Sequence, residues 1–165
     1  MKKIVLLLAL VVYMNAVEID FKKTALDEFE IQGFQEKIIF KTKEERDNKI
    51  AKLWEKFFSS KEFSFKSSSD KKLYVTYFNY KQNSFDCFIG VKSKDKIKGF
   101  SNKTIKESKY QRGILKYEPN LNISKVWDNI LKQKINRDFK LDMEEYNLVD
   151  LTKSKYEVTI YLSTK

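Results

Sequence analysis

Few side chains in this chain combine a reactive type with a suggestive spacing. Glu144 and Tyr146 stand two residues apart, so on a strand they share a face. An earlier echo of the same spacing, Phe78 and Tyr80, puts two more rings on the corresponding face of a repeated module. Trp54 and Trp127 occupy the same step of two similar apolar stripes, and Tyr110 and Tyr161 add further strand aromatics. One carboxylate among rings suits an organic cation. Each π-face contributes about 0.5–2 kcal/mol to a cation, and the carboxylate supplies the charge that desolvation would otherwise penalise. Flat, delocalised cations fit best because they give up hydration most easily. Plainer readings stand beside these: Glu144 as a surface acid in a lysine-rich chain, both tryptophans as core, and the tyrosines as strand aromatics whose hydroxyls reach water. Glu145, on the opposite parity, reads as surface.

Other chemistry finds little support. The chain has no His, which removes the usual general base, zinc ligand and axial haem ligand together. Cys87, the single cysteine, lies between Phe85 and Ile89 on one strand parity and reads as a buried, inert thiol. Asp47, Asp86 and Asp142 are not grouped at ligand spacing, so neither metal nor cofactor is expected.

The elements that must position these groups form a pattern stated twice. Ile50, Leu53, Trp54, Phe57 and Phe58 follow helical steps, and Ile123, Val126, Trp127, Ile130 and Leu131 repeat them. Phe29 to Phe40 reads as a long strand with a bulge or bend near Gly33. Thr42, three residues before Glu45, opens a helix from about Lys43 to Ser59 as a capping box. A polar loop from Ser59 to Lys72 precedes two strands, Leu73 to Tyr80 and Phe85 to Val91, joined by Lys81-Gln82-Asn83-Ser84. After a charged connection from Lys92 to Lys106, the strand Ser108 to Tyr117 is closed by Pro119. Asn120 and Asn122 offer caps for a helix running to about Lys134. Leu141 to Tyr146 and Tyr156 to Ser163 complete the second copy. The pseudo-repeats, about 29–91 and 108–163, predict an α+β fold: duplicated β-α-β-β modules, a largely antiparallel sheet, both main helices on one face, and a central cleft between the modules.

The length of 165 residues suits one domain with a substantial core. Met1-Lys2-Lys3 followed by the apolar run Ile4 to Met14 and Asn15-Ala16 reads as a secretory signal peptide over 1–16, with a domain over 17–165. An uncleaved membrane anchor is the alternative, because Met14 is large for its place before the cut. Export, to the periplasm, is the expected address. The net charge of +10, of which Lys2 and Lys3 would leave with the leader, is scattered among acids and reads as a solvated surface. DNA is not an expected partner.

The series Leu53-Trp54-Glu55-Lys56-Phe57-Phe58, Tyr77-Phe78-Asn79-Tyr80, Ile89-Gly90-Val91, Gly99-Phe100, Lys109-Tyr110, Val126-Trp127, Glu144-Glu145-Tyr146 and Glu157-Val158-Thr159-Ile160-Tyr161 resembles, in order, the GyrI-like effector-binding domain. This is the small-molecule module of AraC/Rob-type and multidrug-sensing regulators, also found alone, and the resemblance spans Phe29 to Lys165. It implies a duplicated strand-helix-strand-strand fold whose cleft binds amphipathic, often cationic compounds. The family's pocket carboxylate, in a Phe-Glu-x-Tyr motif, matches Glu144 within Met143-Glu144-Glu145-Tyr146. Lys98 stands where the family usually has Pro before Gly99, and Ser163 replaces a Pro near the end. No helix-turn-helix segment is read ahead of the domain. The expectation is an exported, non-catalytic small-molecule receptor. The alternatives are a hydrolase of reactive small molecules with Glu144 as general base, and a protein-interaction or inhibitor module meeting an envelope partner through the Ser59 to Lys72 loop.

Overall fold

The computed structural model describes residues 19–117, 122–153 and 155–165. The expected signal segment, Pro119 and Asn120 lie outside them. Eight strands and two helices follow in the order β1 (Lys22–Leu26), β2 (Phe29–Ile39), α1 (Lys43–Ser59), β3 (Lys72–Lys81), β4 (Ser84–Val91), β5 (Ser101–Ile105), β6 (Ser108–Tyr117), α2 (Ile123–Lys132), β7 (Leu141–Asn147) and β8 (Tyr156–Ser163). All strands join one sheet in the order β1-β6-β8-β7-β3-β4-β2-β5, and every pairing is antiparallel. The twofold strand-helix-strand-strand plan is therefore present, with β3 and β7 adjacent at its centre.

Two short edge strands appear that the sequence does not assign as strands: β1 falls in Val17 to Asp27, which reads as a mixed, extended lead-in, and β5 in the charged connection from Lys92 to Lys106. Each precedes one module yet pairs with the first strand of the other: β1 with β6, and β5 with β2. This exchange dictates the shape of the sheet. β1 lies at one edge and β2 next to the opposite edge, six strand spacings away, roughly 29 Å in a flat sheet. Only Asp27 and Glu28 join them, so Leu26 and Phe29 stand no more than about 11 Å apart. The sheet must curl until its ends approach. Its inner face then covers itself: Ile31, Tyr74, Phe88, Ile105, Tyr110, Met143 and Tyr161 form a buried cluster.

The other face carries both helices. Leu53 and Phe57 of α1 and Val126 and Ile130 of α2 pack with Leu73, Val75, Cys87, Ile89, Val158 and Ile160 in the larger core. Thr42 caps α1 by accepting from the Glu45 amide at 3.1 Å. Glu45 returns a carboxylate to the Lys41 amide at 2.9 Å, one residue outside the reciprocal box that the sequence suggests. Asn122 caps α2 by accepting from the Ser124 and Lys125 amides.

Two local features depart from the expected strands. Register runs unbroken through Gly33, which pairs with Gly90. A Cβ on Gly33 would lie 1.8 Å from the Ile89 carbonyl oxygen, so this glycine serves close backbone approach rather than a bulge. The irregularity lies in β3, where the register shifts between Phe78 and Lys81 and Asn79 takes φ 54°. One inserted residue turns the strand, so Tyr77 and Tyr80 face the helices while Phe78 faces away.

Candidate functional site

Between the two helices and the central strands lies a cavity of about 400 Å³. α1 contributes Arg46, Ile50 and Trp54, α2 contributes Ile123, Trp127 and Leu131, and the sheet contributes Tyr77, Tyr80, Phe85, Glu144 and Tyr146, with Tyr117 and Tyr156 at the ends of their strands. Alternation on β7 sends Asp142, Glu144 and Tyr146 to this face, and the turn at Asn79 brings Tyr80 back to it.

Glu144 is buried, 2% exposed, and is held by three donors. The Tyr77 hydroxyl donates to Oε1 at 3.1 Å and the Tyr146 hydroxyl to Oε2 at 2.6 Å. The Trp127 indole N–H also donates to Oε1. These fill three of the roughly four acceptor positions of a carboxylate. Among the described residues no basic side chain forms an ion pair with it. Burial therefore pushes its pKa above the ordinary 4.5, against the lowering pull of its three hydrogen bonds. The same burial, with Glu144 beside them, raises the Tyr77 and Tyr146 phenols and keeps them protonated donors.

The walls are rings. Trp54 meets Tyr146 edge-on at 5.3 Å and Trp127 meets Tyr77 edge-on at 5.5 Å. Tyr117 and Tyr156 stack at 4.4 Å. Across the helix ends, Arg46 of α1 reaches Ser124 at 2.5 Å and Asp128 at 3.5 Å on α2, while Lys43 pairs with Asp128 at 2.6 Å. These contacts tie the two helices together at the rim.

A second buried acid adjoins the first. Asp142 is fully buried and accepts from Arg137, from the Tyr80 hydroxyl at 2.7 Å and from the Ser163 amide at 3.1 Å. Burial raises its pKa, with Arg137 and Tyr80 pulling the other way. Arg137, 7% exposed, also lines the cavity. Its Nε and Nη1 find no acceptor among the described residues, a condition that costs about 1–3 kcal/mol for each buried donor.

Five of the residues singled out from the sequence thus converge: Glu144, Tyr146, Tyr80, Trp54 and Trp127. Three do not. Phe78, Tyr110 and Tyr161 lie on the inner face of the curl, Phe78 because the Asn79 irregularity breaks its parity with Tyr80. Lys103 Nζ sits 3.2 Å from the Phe78 ring centroid, and Tyr110 and Tyr161 meet edge-on at 6.0 Å. Glu145 is not a free surface acid: it pairs with Lys72 at 2.8 Å inside a polar cavity of that same face. Cys87 is fully buried, and burial pushes its thiol up. Tyr77 and Arg137 join the site although neither is among the candidates that the sequence offers. Leu73-Val75-Tyr77 alternation signals Tyr77, whereas the buried role of Arg137, in an irregular segment, leaves no periodic trace. Among the described residues no group of three or more His, Cys, Asp or Glu side chains could hold a metal ion.

A family model described as integron-associated effector binding protein matches residues 24–163. Among solved structures, SAV2435 bound to tetraphenylphosphonium is similar at 15% identity and a TM-score of 0.67, over 88% of this chain and 94% of that one. A bacterial transcription regulation protein of Staphylococcus aureus MU50 matches at 16% identity and 0.65, over 90% and 99%. An integron cassette protein from the Vibrio cholerae mobile metagenome matches at 18% and 0.65, over 88% and 95%. No curated protein sequence matches.

Proposed function

The chain belongs to the family of integron-associated effector binding proteins, and on that premise we propose that its cavity receives an amphipathic organic cation. The observation that carries this reading is Glu144, a buried carboxylate with no paired base among the described residues, held by three neutral donors and walled by aromatic rings. A desolvated cation gains the full charge there, and the rings add their π-faces. That SAV2435, alike in fold, is bound to tetraphenylphosphonium supports the choice of ligand class. Three donors already occupying Glu144 favour a charge-holding, non-catalytic role over proton abstraction. The charged and apolar segment from Met1 to Ala16 supports export as part of the same reading; N-terminal sequencing of protein from its native envelope should find a start near Val17, an intact Met1 would refute cleavage, and recovery of the protein from the cytoplasmic fraction alone would refute export.

Tetraphenylphosphonium should quench the fluorescence of Trp54 and Trp127 saturably, and the titration carries its own pH signature. Proton and cation compete for one carboxylate whose pKa lies above 4.5. Affinity should therefore rise by about tenfold per pH unit from the ordinary glutamate range until the raised pKa is passed, then level off. Stability of the free protein has the opposite sign. The contribution of a raised acid is full below the unfolded pKa and is lost as pH rises through the folded one, so ligand should stabilise most on the alkaline side. A pH-independent affinity would remove Glu144 from the reading.

A further inference from the structure

We infer that one end of the sheet is a docking surface for an anionic lipid membrane, built from lysines on two adjoining loops. This surface is separate from the cavity and independent of what the cavity holds.

The loops are those between α1 and β3 and between β4 and β5. A backbone bond joins them, the Ser69 amide donating to the Lys92 carbonyl at 2.8 Å. The turn after β7 is tied to the same place, with the Leu148 amide donating to the Lys71 carbonyl at 2.9 Å. Charge that is spread along the chain is gathered here by the fold. Lys61, Lys66, Lys71, Lys94, Lys96 and Lys98 are all exposed and form no ion pair among the described residues. Of the acids on the same loops, Asp70 is already engaged by Lys92 at 3.6 Å and by the Tyr74 hydroxyl at 2.7 Å. Only the exposed carboxylates of Glu62 and Asp95 are left to offset the six lysines.

Two features favour lipid over nucleic acid. The loops carry lysine and no arginine, and arginine is the residue that reads nucleic-acid phosphates through a planar fork. Exposed apolar side chains also border the surface: Phe58, which meets Phe63 at 5.9 Å, and Val149, beside the tied Leu148. Such side chains can settle among lipid headgroups, where clustered lysines meet anionic lipid.

The start of the described chain points to the same end. β1 is antiparallel to β6 with Lys22 opposite Arg112, so residues before Lys22 run toward Tyr117, and Ile19 lies beside Gly113. Tyr117 pairs with Tyr156 at the start of β8, and Asn147 at the end of β7 pairs with Lys72. These strand ends adjoin Lys71 and Val149. Met14, which closes the apolar N-terminal run, is five residues from Ile19, a reach of at most about 18 Å. A leader seated in a bilayer would therefore hold this end of the sheet close to the lipid.

The test is sedimentation of the full chain, as the cell delivers it, with vesicles of phosphatidylglycerol and phosphatidylcholine or of phosphatidylcholine alone. Each lysine at an anionic surface is worth about fivefold in affinity. The anionic vesicles should bind about 100-fold tighter or more, and salt should abolish the difference. Replacing Lys94, Lys96 and Lys98 together by Gln should weaken binding to anionic vesicles about 100-fold. Replacing Lys37, Lys81 and Lys132 by Gln removes the same charge from exposed positions outside these loops, and should cost no more than about fivefold. Equal affinity for the two vesicle types overturns the docking surface, and equal losses in the two variants show that net charge, not this end, is responsible. Tighter binding to a duplex oligonucleotide than to anionic vesicles, at equal phosphate, assigns the lysines to nucleic acid and overturns the membrane as partner.

Discussion

Glu144→Gln should weaken tetraphenylphosphonium binding by a factor of about 30 or more while leaving the protein folded. Truncating one member of a desolvated charge pair costs about 2–5 kcal/mol or more, and each 1.4 kcal/mol is about tenfold in affinity. Glutamine fits the site in one orientation. The Trp127 indole can only donate, so the amide oxygen must take the Oε1 position shared by Tyr77 and Trp127. The amide nitrogen then faces Tyr146, whose hydroxyl can rotate to accept. The variant also loses the burden of a buried charge, so its melting temperature at neutral pH should equal or exceed that of the wild type. Calorimetric titration beside thermal melting reads both effects. An affinity within threefold of wild type would show that the carboxylate does not meet the ligand.

The largest loss of stability should come from Arg137→Met. Asp142 would be left buried and unpaired, a change that costs about 3–5 kcal/mol. For a chain of this length that is a fall in melting temperature of roughly 6–20 °C. Asp142→Asn in the same molecule should restore much of it, because the amide carries no charge to desolvate. The pH dependence identifies the cause. The folded pKa of Asp142 is already raised by burial, and losing Arg137 raises it further. The deficit should therefore be small in acid, where the carboxyl is protonated in both folded and unfolded chains, and should grow as pH climbs through the folded value. Thermal melts of both variants from acid to neutral pH decide the matter. A deficit equal at every pH would point to lost packing instead.

Much of this architecture could be read from residue order because it rests on periodicity. The twin helical stripes around Trp54 and Trp127 and the caps at Thr42 and Asn122 locate α1 and α2 closely, and the central strands lie where β-branched and aromatic runs predict them. Edge strands β1 and β5 were not legible, since Lys22–Leu26 and Ser101–Ile105 carry the polar residues that suit sheet edges and loops alike. The site was half legible. Glu144 and Tyr146 follow simple alternation, but Phe78 was misplaced because a single positive φ at Asn79 inverts the parity beyond it, and nothing in the residue types announces that turn. Tyr110 and Tyr161 alternate as expected, but their face is the inner one, a distinction that alternation within one strand cannot make.

The traded strands at the two ends of the sheet have a mechanical consequence. Each half clasps the other at its far margin, so the seam between β3 and β7, where Glu144 stands, cannot be pried open like a hinge without unlatching residues some ninety positions away in the chain, such as Lys22 from Arg112. What joins α1 to α2 at the rim is polar and lies near the helix starts, Arg46 to Ser124 and Asp128 and Lys43 to Asp128, so room for a bulkier guest is easier to find on the helix side than in the latched floor. Severing the chain between the halves would likewise not release two working pieces, because each would lack the margin that the other lends it.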